Sequence, residues 1–425
     1  MQHIFEAPFP RRALLRLIGT SFLTLLGGHW LLPGRAAASA APPPAFLRQL
    51  ATTDPASSRT LMWQTDDAAG RVRVQLKGGP LTAAREYTPT VSHRPEAEHP
   101  FLYSVTITGL VSGQRYAFRI VTEDGASGWQ PLLTPAADKK LSALLFSDAQ
   151  STDGYRDFSR LLAGAAARHP EAALLLLPGD LVDNGAEAYY WDQLFHALSK
   201  SAPQLTLVPV LGNHECYSST WEYCLPESYL AYFSLPDNSS PRLKGHYYSC
   251  EAGEVHFSIL DTQWEEEGSF FPELWEEQAA WLRREAKANT KKWHIVLMHR
   301  DIINYEALLW QAQGRDADIS PSGKFFMPLF DELGIDAVLT GHEHIYRRRP
   351  RLKGFHRNQG GTLYICCGVT GNDRGYRMPR ARFDDVLEPD ADKQIYLLLE
   401  ADSSTLSFRA FLANGKETDS VTLRK

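Results

Sequence analysis

Five short apolar runs, each stopping at side chains able to hold a metal ion, constrain this chain more than any other feature. They are Leu141–Asp148, Ala172–Asp180, Leu207–Glu215, Trp293–His299 and Ile335–His344. A near-continuous apolar run of this length reads as a strand buried on both faces, as in a sheet covered by helices. One such run ending on Asp is as readily a turn or a helix cap. Five in one chain describe a site. Ligands of open α/β sheets gather beyond the carboxyl ends of the strands, so Asp148, Asp180, Asn213, His214, His299, His342 and His344 are expected to converge there. Mixed oxygen and nitrogen donors suit hard or borderline divalent ions.

Between these runs lie helix-like stretches at Asp157–His169, Ala186–Lys200, Pro272–Ala288 and Lys324–Leu333. Strand and helix alternating in this way is the α/β pattern. A hairpin-like pair is expected around Ala252-Gly253, and further antiparallel strands at Gln394–Glu400, Thr405–Leu412 and Ser420–Leu423. Residues 45–136 have a different texture. Arg59–Gln64, Arg71–Leu76 and Tyr103–Thr108 alternate like half-exposed strands, and Leu110 precedes Tyr116 by six residues. That spacing resembles the tyrosine corner of fibronectin type III-like sandwiches. The expected role of such a sandwich is packing against the next domain. Glu265-Glu266-Glu267 reads as a solvated loop with no His or Asp beside it in sequence, and Arg347–Arg351 as a solvated strand face.

The front end is built for export. Arg11-Arg12 and Arg16 precede the mostly apolar Leu17–Leu32, then Ala36–Ala40 and Pro42–Pro44. Charged, apolar, then small residues is the order of a signal peptide, and the Arg pair points to the twin-arginine route. The competing reading is a membrane anchor, but Gly19, Gly27, Gly28 and His29 interrupt a stretch already short for a span. No integral span is expected after signal removal, and the expected location is periplasmic or secreted. A formal net charge of −6 provides no global basic field for nucleic acid. The five cysteines contain no CxxC, which argues against a thiolate zinc site. Export permits oxidation, and Cys216 with Cys224 or Cys250 would staple the loop after Asn213. At least one of the adjacent Cys366 and Cys367 reads as a small buried residue in a strand.

Asp148, Gly179-Asp180, Gly212-Asn213-His214-Glu215, His299 and Gly341-His342-Glu343-His344 together resemble the ordered motifs of the calcineurin-like metallophosphoesterases. With the β-rich module ahead of them, the arrangement is similar to the purple acid phosphatases. The resemblance implies an α/β fold, an αββα metallophosphoesterase sandwich at 139–425. Ahead of it would stand an all-β fibronectin type III-like domain at 41–138 and a signal peptide with linker at 1–40. It also implies two metal ions, of Fe, Mn or Zn, bridged by Asp180. Asp148 and His344 would join the first, and Asn213, His299 and His342 the second. A bridging carboxylate brings two cations close enough to clamp one phosphoryl group. His214, next to a ligand, suits proton donation to a leaving oxygen. Glu215 suits orientation of a neighbouring His as an outer-shell acceptor.

Two departures from the pattern bear on metal one. Purple acid phosphatases place a chromophoric Tyr three residues after the bridging Asp, where this chain has Asp183. Many other metallophosphoesterases carry His two residues after the first Asp, where this chain has Gln150. Either Gln150 supplies a carbonyl oxygen or water fills the gap, and no purple colour is expected. Tyr217, Trp221, Trp264 and Tyr305 lie near the motif loops, where aromatics either stack on substrate or cover core. The expected activity is hydrolysis of a small phosphate ester, a monoester, by a metal-bound hydroxide. Alternatives are a phosphodiesterase on the same scaffold and a non-catalytic cell-surface binding protein.

Overall fold

The computed structural model describes residues 44–136, 140–304, 319–372, 380–381, 383–388 and 394–425. The signal-like segment and Tyr305 lie outside the described residues. The four expected helices form at Arg156–Arg168, Ala188–Ser201, Leu274–Ala288 and Pro321–Leu333. The last shows why its ends fall where they do. Ser320 Oγ accepts the Gly323 N–H at 2.9 Å, Pro321 opens the first turn, and Gly334 closes the helix at φ 66°.

The apolar runs become strands of two facing sheets. In the first, Leu141–Leu145, Leu174–Leu177 and Thr206–Pro209 run parallel, with every residue of the three strands buried. In the second, Val255–Ile259, Trp293–Leu297, Ala337–Thr340 and Leu363–Cys367 run parallel. Alternation divides their side chains. Ile295, Leu297, Leu339 and Cys367 enter the core shared with the first sheet. Val296, Val338 and Tyr364 enter the core under helices Leu274–Ala288 and Pro321–Leu333. The architecture is mixed α/β, layered helix–sheet–sheet–helix, as expected. The hairpin at Ala252-Gly253 and the three tail strands are present. Cys366 and Cys367 are both fully buried, and all five cysteines are free thiols, so no disulfide staples the loop after Asn213.

The N-terminal residues 45–133 are all β. Tyr116 OH accepts the Val111 N–H at 2.9 Å, the bond the Leu-to-Tyr spacing anticipates. One half of this module is not a separate sheet. Ala45–Leu50 pairs in parallel with Thr206–Pro209, Gln49 opposite Thr206, and carries Ser58–Thr65, Phe101–Thr108 and Thr90–His93 beyond it. A single ten-stranded sheet therefore runs from the tail strand Glu417–Arg424 to Thr90–His93. The module packs against the next domain as expected, with Phe46, Leu50, Met62 and Leu102 in its core, and a shared hydrogen-bonded ladder joins the two as well.

Candidate metal centre

Parallel strands deliver their next residues to one edge, and the expected ligands arrive there. Asp148 follows Leu145, Asp180 follows Leu177, Asn213 follows Pro209, His299 follows Leu297, and His342 and His344 follow Thr340. Four of them take left-handed backbone: Asp148 at φ 53°, Asp180 at 49°, His342 at 73° and His344 at 47°. Non-glycine residues are uncommon in this region and cluster at functional sites. The turns are also tight. A Cβ on Gly179 would overlap the His299 ring, and one on Gly212 would overlap the Asp180 backbone.

Five of the six side chains form two groups that share Asp180, and Asn213 adjoins the first. Asp180, His299 and His342 make one; Asp148, Asp180 and His344 make the other. Two ligand atoms each about 2.1 Å from one ion sit roughly 3.0–3.4 Å apart. Around the first group, His299 Nε2 lies 3.1 Å from Asp180 Oδ1, 3.0 Å from Asn213 Oδ1 and 3.3 Å from His342 Nδ1. His342 Nδ1 is 2.9 Å from the same Asn213 oxygen. His299 Nδ1 donates to the Pro178 carbonyl at 2.8 Å, which leaves Nε2 as the ligating nitrogen. Nitrogen and oxygen atoms converging at these spacings suit a shared cation, or a proton in its absence. Around the second group, His344 Nε2 stands 3.7 Å from Asp148 Oδ1 and 3.0 Å from Gln150 Nε2.

Gln150 is brought into this second group. Its Nε2 donates to Asp180 Oδ2 at 3.3 Å, while its buried Oε1 has no hydrogen-bond partner. Turning the amide over exchanges the two atoms and presents the oxygen to the same space. The two Asp180 oxygens thus face different groups, Oδ1 toward His299 and Oδ2 toward Gln150. The donor set fits two ions bridged by one carboxylate.

Electrostatics favour positive charge here. Burial alone raises a carboxyl pKa, yet His299 and His214 hold the Asp180 carboxyl well below the usual range. Burial opposes charge on His299 as well, but Asp180 overrides it and pushes the imidazole up to about 9. His342 goes the other way, held well below its ordinary value by burial and then by Arg300 and His299. The group holds one proton where an ion would otherwise supply the charge.

His214 stands beside the ligands. Its Nδ1 donates to the Asp183 carbonyl at 2.6 Å, and its Nε2 is 3.9 Å from Asp180 Oδ2. With Nδ1 committed as a donor, Nε2 carries a proton only in the imidazolium form. Glu215 has a different task from the expected one. It orients no histidine among the described hydrogen bonds. Its Oε1 accepts the N–H groups of Leu181 and Val182 at 2.8 and 3.1 Å, and its Oε2 those of Gly212 and Asp180 at 2.8 and 3.1 Å. The carboxylate clamps two ligand loops by their backbones.

A cleft of about 500 Å³ opens from Asn213 and His342 and is walled by Tyr217, Tyr223, Trp264, Glu265 and Arg300. Tyr217 and Trp264 therefore face the centre's mouth, whereas Trp221 packs edge-on against His214. Arg300 was not legible in advance. It follows His299 directly, and only its pairing with Glu266 reveals a cation fixed at the cleft. Two charge readings are corrected. Glu266 and Glu267 are 1% and 0% exposed, on the short helix Trp264–Glu267 and not in a solvated loop. Arg347 and Arg349 are fully buried, not on a solvated face. Arg347 Nε pairs with Glu343 at 2.9 Å, and Arg349 grips Asp301 at 2.7 and 2.8 Å. This network braces Glu343, the residue between His342 and His344.

The calcineurin-like phosphoesterase family matches residues 141–346, the span that holds every residue of the centre. Fold and family together define a metal-dependent phosphoesterase, a phosphoric ester hydrolase. The purple acid phosphatase N-terminal domain matches residues 47–134. The chain carries a calcineurin-like phosphoesterase domain behind a purple acid phosphatase N-terminal domain. An uncharacterised protein of Mycobacterium tuberculosis is 27% identical over 384 residues, covering 79% of this chain and 68% of the relative. Purple acid phosphatase 18 of Arabidopsis thaliana is 28% identical over 207 residues, 48% of this chain and 44% of its own. In structure, the purple acid phosphatase PPD1 of yellow lupin superposes with a TM-score of 0.72 at 16% identity, over 90% of this chain and 74% of that one. The structure of PhoD gives 0.65 at 14% identity, over 91% of both chains.

Proposed function

We propose that this protein is an exported phosphomonoesterase with a dinuclear centre. The observation that carries the reading is the shared carboxylate: Asp180 belongs to both ligand groups and turns one oxygen to each. Asp148, Gln150 and His344 would complete one ion's sphere, and Asn213, His299 and His342 the other. Two such ions supply Lewis acidity toward a phosphoryl group and an activated water. The chain's own residues do the rest. Arg300 places a fixed cation at the cleft wall. Tyr217 and Trp264 bound the space open to the ester's organic part. His214, as imidazolium, delivers the Nε2 proton to the leaving oxygen. Asp183, through its carbonyl, holds that ring in register.

Support for export is the order of charged, apolar and small residues at 1–40. Among the described residues no helix is long and apolar enough to cross a membrane. The division at 41–138 and 139–425 assigns the chemistry wholly to the second part, with the fibronectin type III-like module as its support. Metal analysis combined with turnover of generic phosphate mono- and diesters tests the reading. Two ions per chain at the centre and faster monoester turnover are expected. Preference for diesters would make it a phosphodiesterase, and no turnover by metal-loaded protein would leave a binding protein.

A further inference from the structure

A second cluster of ligand-type side chains lies outside the centre. His246, Asp261 and Glu267 place an imidazole nitrogen and two carboxylate oxygens within 4.8 Å of one another. They come from different segments: His246 precedes strand Tyr248–Ala252, Asp261 follows strand Val255–Ile259, and Glu267 ends helix Trp264–Glu267. All three are buried, at 3%, 0% and 0% exposure. No sequence spacing joins them, so the acidic run at 265–267 looked unaccompanied until the fold supplied its partners.

The spacings are those of ligands around one ion. His246 Nδ1 is 3.1 Å from Asp261 Oδ2 and 3.4 Å from Glu267 Oε1. Donors about 2.0–2.2 Å from a common ion stand roughly that far apart. Asp261 is otherwise occupied only through Oδ1, which accepts the Gln263 N–H at 2.8 Å. Glu267 is the telling member. Its carboxylate is wholly buried and aimed at His246, yet neither oxygen makes a geometrically well-formed hydrogen bond. Burial opposes charge on His246, but Asp261 and Glu267 push the imidazole up to about 10, so without an ion a proton has to sit among these buried groups. A dication with two carboxylates and a neutral imidazole sums to zero charge.

We infer that His246, Asp261 and Glu267 form a structural site for a borderline divalent cation such as Zn²⁺, separate from the Asp180 centre. One nitrogen and two oxygens are an acceptable zinc set. The ion fixes the helix Trp264–Glu267, and through it the cleft wall: Trp264 and Glu265 line the cleft, and Glu266 holds Arg300. The inference does not depend on what reaction the cleft performs.

The test uses the full chain loaded with Zn²⁺ alone, cleared of free metal, and assayed for zinc per chain. Four forms are compared: the parent, Asp180→Asn, Glu267→Gln and the double variant. Glu267→Gln is expected to lose one ion relative to the parent, and the double variant one relative to Asp180→Asn. Equal zinc in Asp180→Asn and the double variant overturns the site. Should Glu267→Gln fail to fold, the parent decides. Anomalous diffraction at the zinc edge is expected to show a peak between His246 Nδ1, Asp261 Oδ2 and Glu267 Oε1. An empty position there means that a proton, held as an imidazolium between the acids, does the ion's work, and the proposal fails.

Discussion

Glu215 Oε2 accepts the backbone N–H of Asp180 at 3.1 Å, so the residue shared by the two candidate ligand groups is held from behind by a carboxylate that belongs to neither. Three further backbone N–H groups end on the same carboxylate. Removing it orphans four buried donors, at about 1–3 kcal/mol for each one that stays unpaired. Glu215→Ala is therefore expected to lower stability by roughly 3 kcal/mol or more, read from denaturant midpoints. Metal affinity should fall by roughly 10–100-fold, as for other outer-shell partners. A variant with unchanged affinity and stability would refute the clamp.

Asp180 faces two groups and Asp148 one. Asp180→Asn is expected to deplete both catalytic ions, and Asp148→Asn mainly one. Metal content per chain decides, counted above whatever the His246 cluster retains. The same single loss in both variants would contradict bridging.

Iron-loaded protein is expected to lack an intense visible band. Asp183 stands where the purple enzymes have tyrosine, and its carbonyl is engaged with His214. Absorbance between the near-ultraviolet and the red settles this directly; a strong charge-transfer band would mean another tyrosine has reached the iron.

His214→Ala should spare the metals and separate substrates. A general acid contributes about 10²–10⁴-fold where the leaving group needs a proton. An alkoxide needs one acutely and nitrophenolate hardly at all. The variant is expected to lose far more activity on an alkyl phosphate than on a nitrophenyl phosphate. Equal losses would assign His214 to phosphate binding, and a lost ion would make it a ligand.

Changing Arg11 and Arg12 together to Lys is expected to leave unprocessed precursor in the cytoplasm, as the Arg pair is the feature that specifies the twin-arginine route. Normal processing of that double variant would exclude the route.

Much of the centre was legible because buried parallel strands leave a plain trace. An apolar run announces its own end, and the next polar residue falls at the functional edge. That reasoning reached Asp148, Asp180, Asn213, His299, His342 and His344 together. It failed where a residue's meaning depends on partners distant in sequence. Glu267 meets His246 and Asp261 only through three separate segments. Arg347 and Arg349 look solvent-bound in a local window, since Asp384 and Asp301, which pair with them, lie 37 and 48 residues away. The sequence places Glu215 near the ligands, but the partners it takes are backbone N–H groups. Backbone N–H groups carry no signature in a sequence, although they are the commonest donors at a tight turn.

The ladder between Ala45–Leu50 and Thr206–Pro209 has a mechanical consequence. Most two-domain enzymes can open and close about a linker, because few contacts cross it. Here a hinge would have to tear strands apart in mid-sheet. Arg48 adds to the cost: its guanidinium donates to the Tyr232 carbonyl at 3.0 Å and lies 3.9 Å over the Phe195 ring. The front module is therefore expected to move as one body with the sheet that carries Asp180 and Asn213, which leaves the loops around the cleft as the parts free to rearrange.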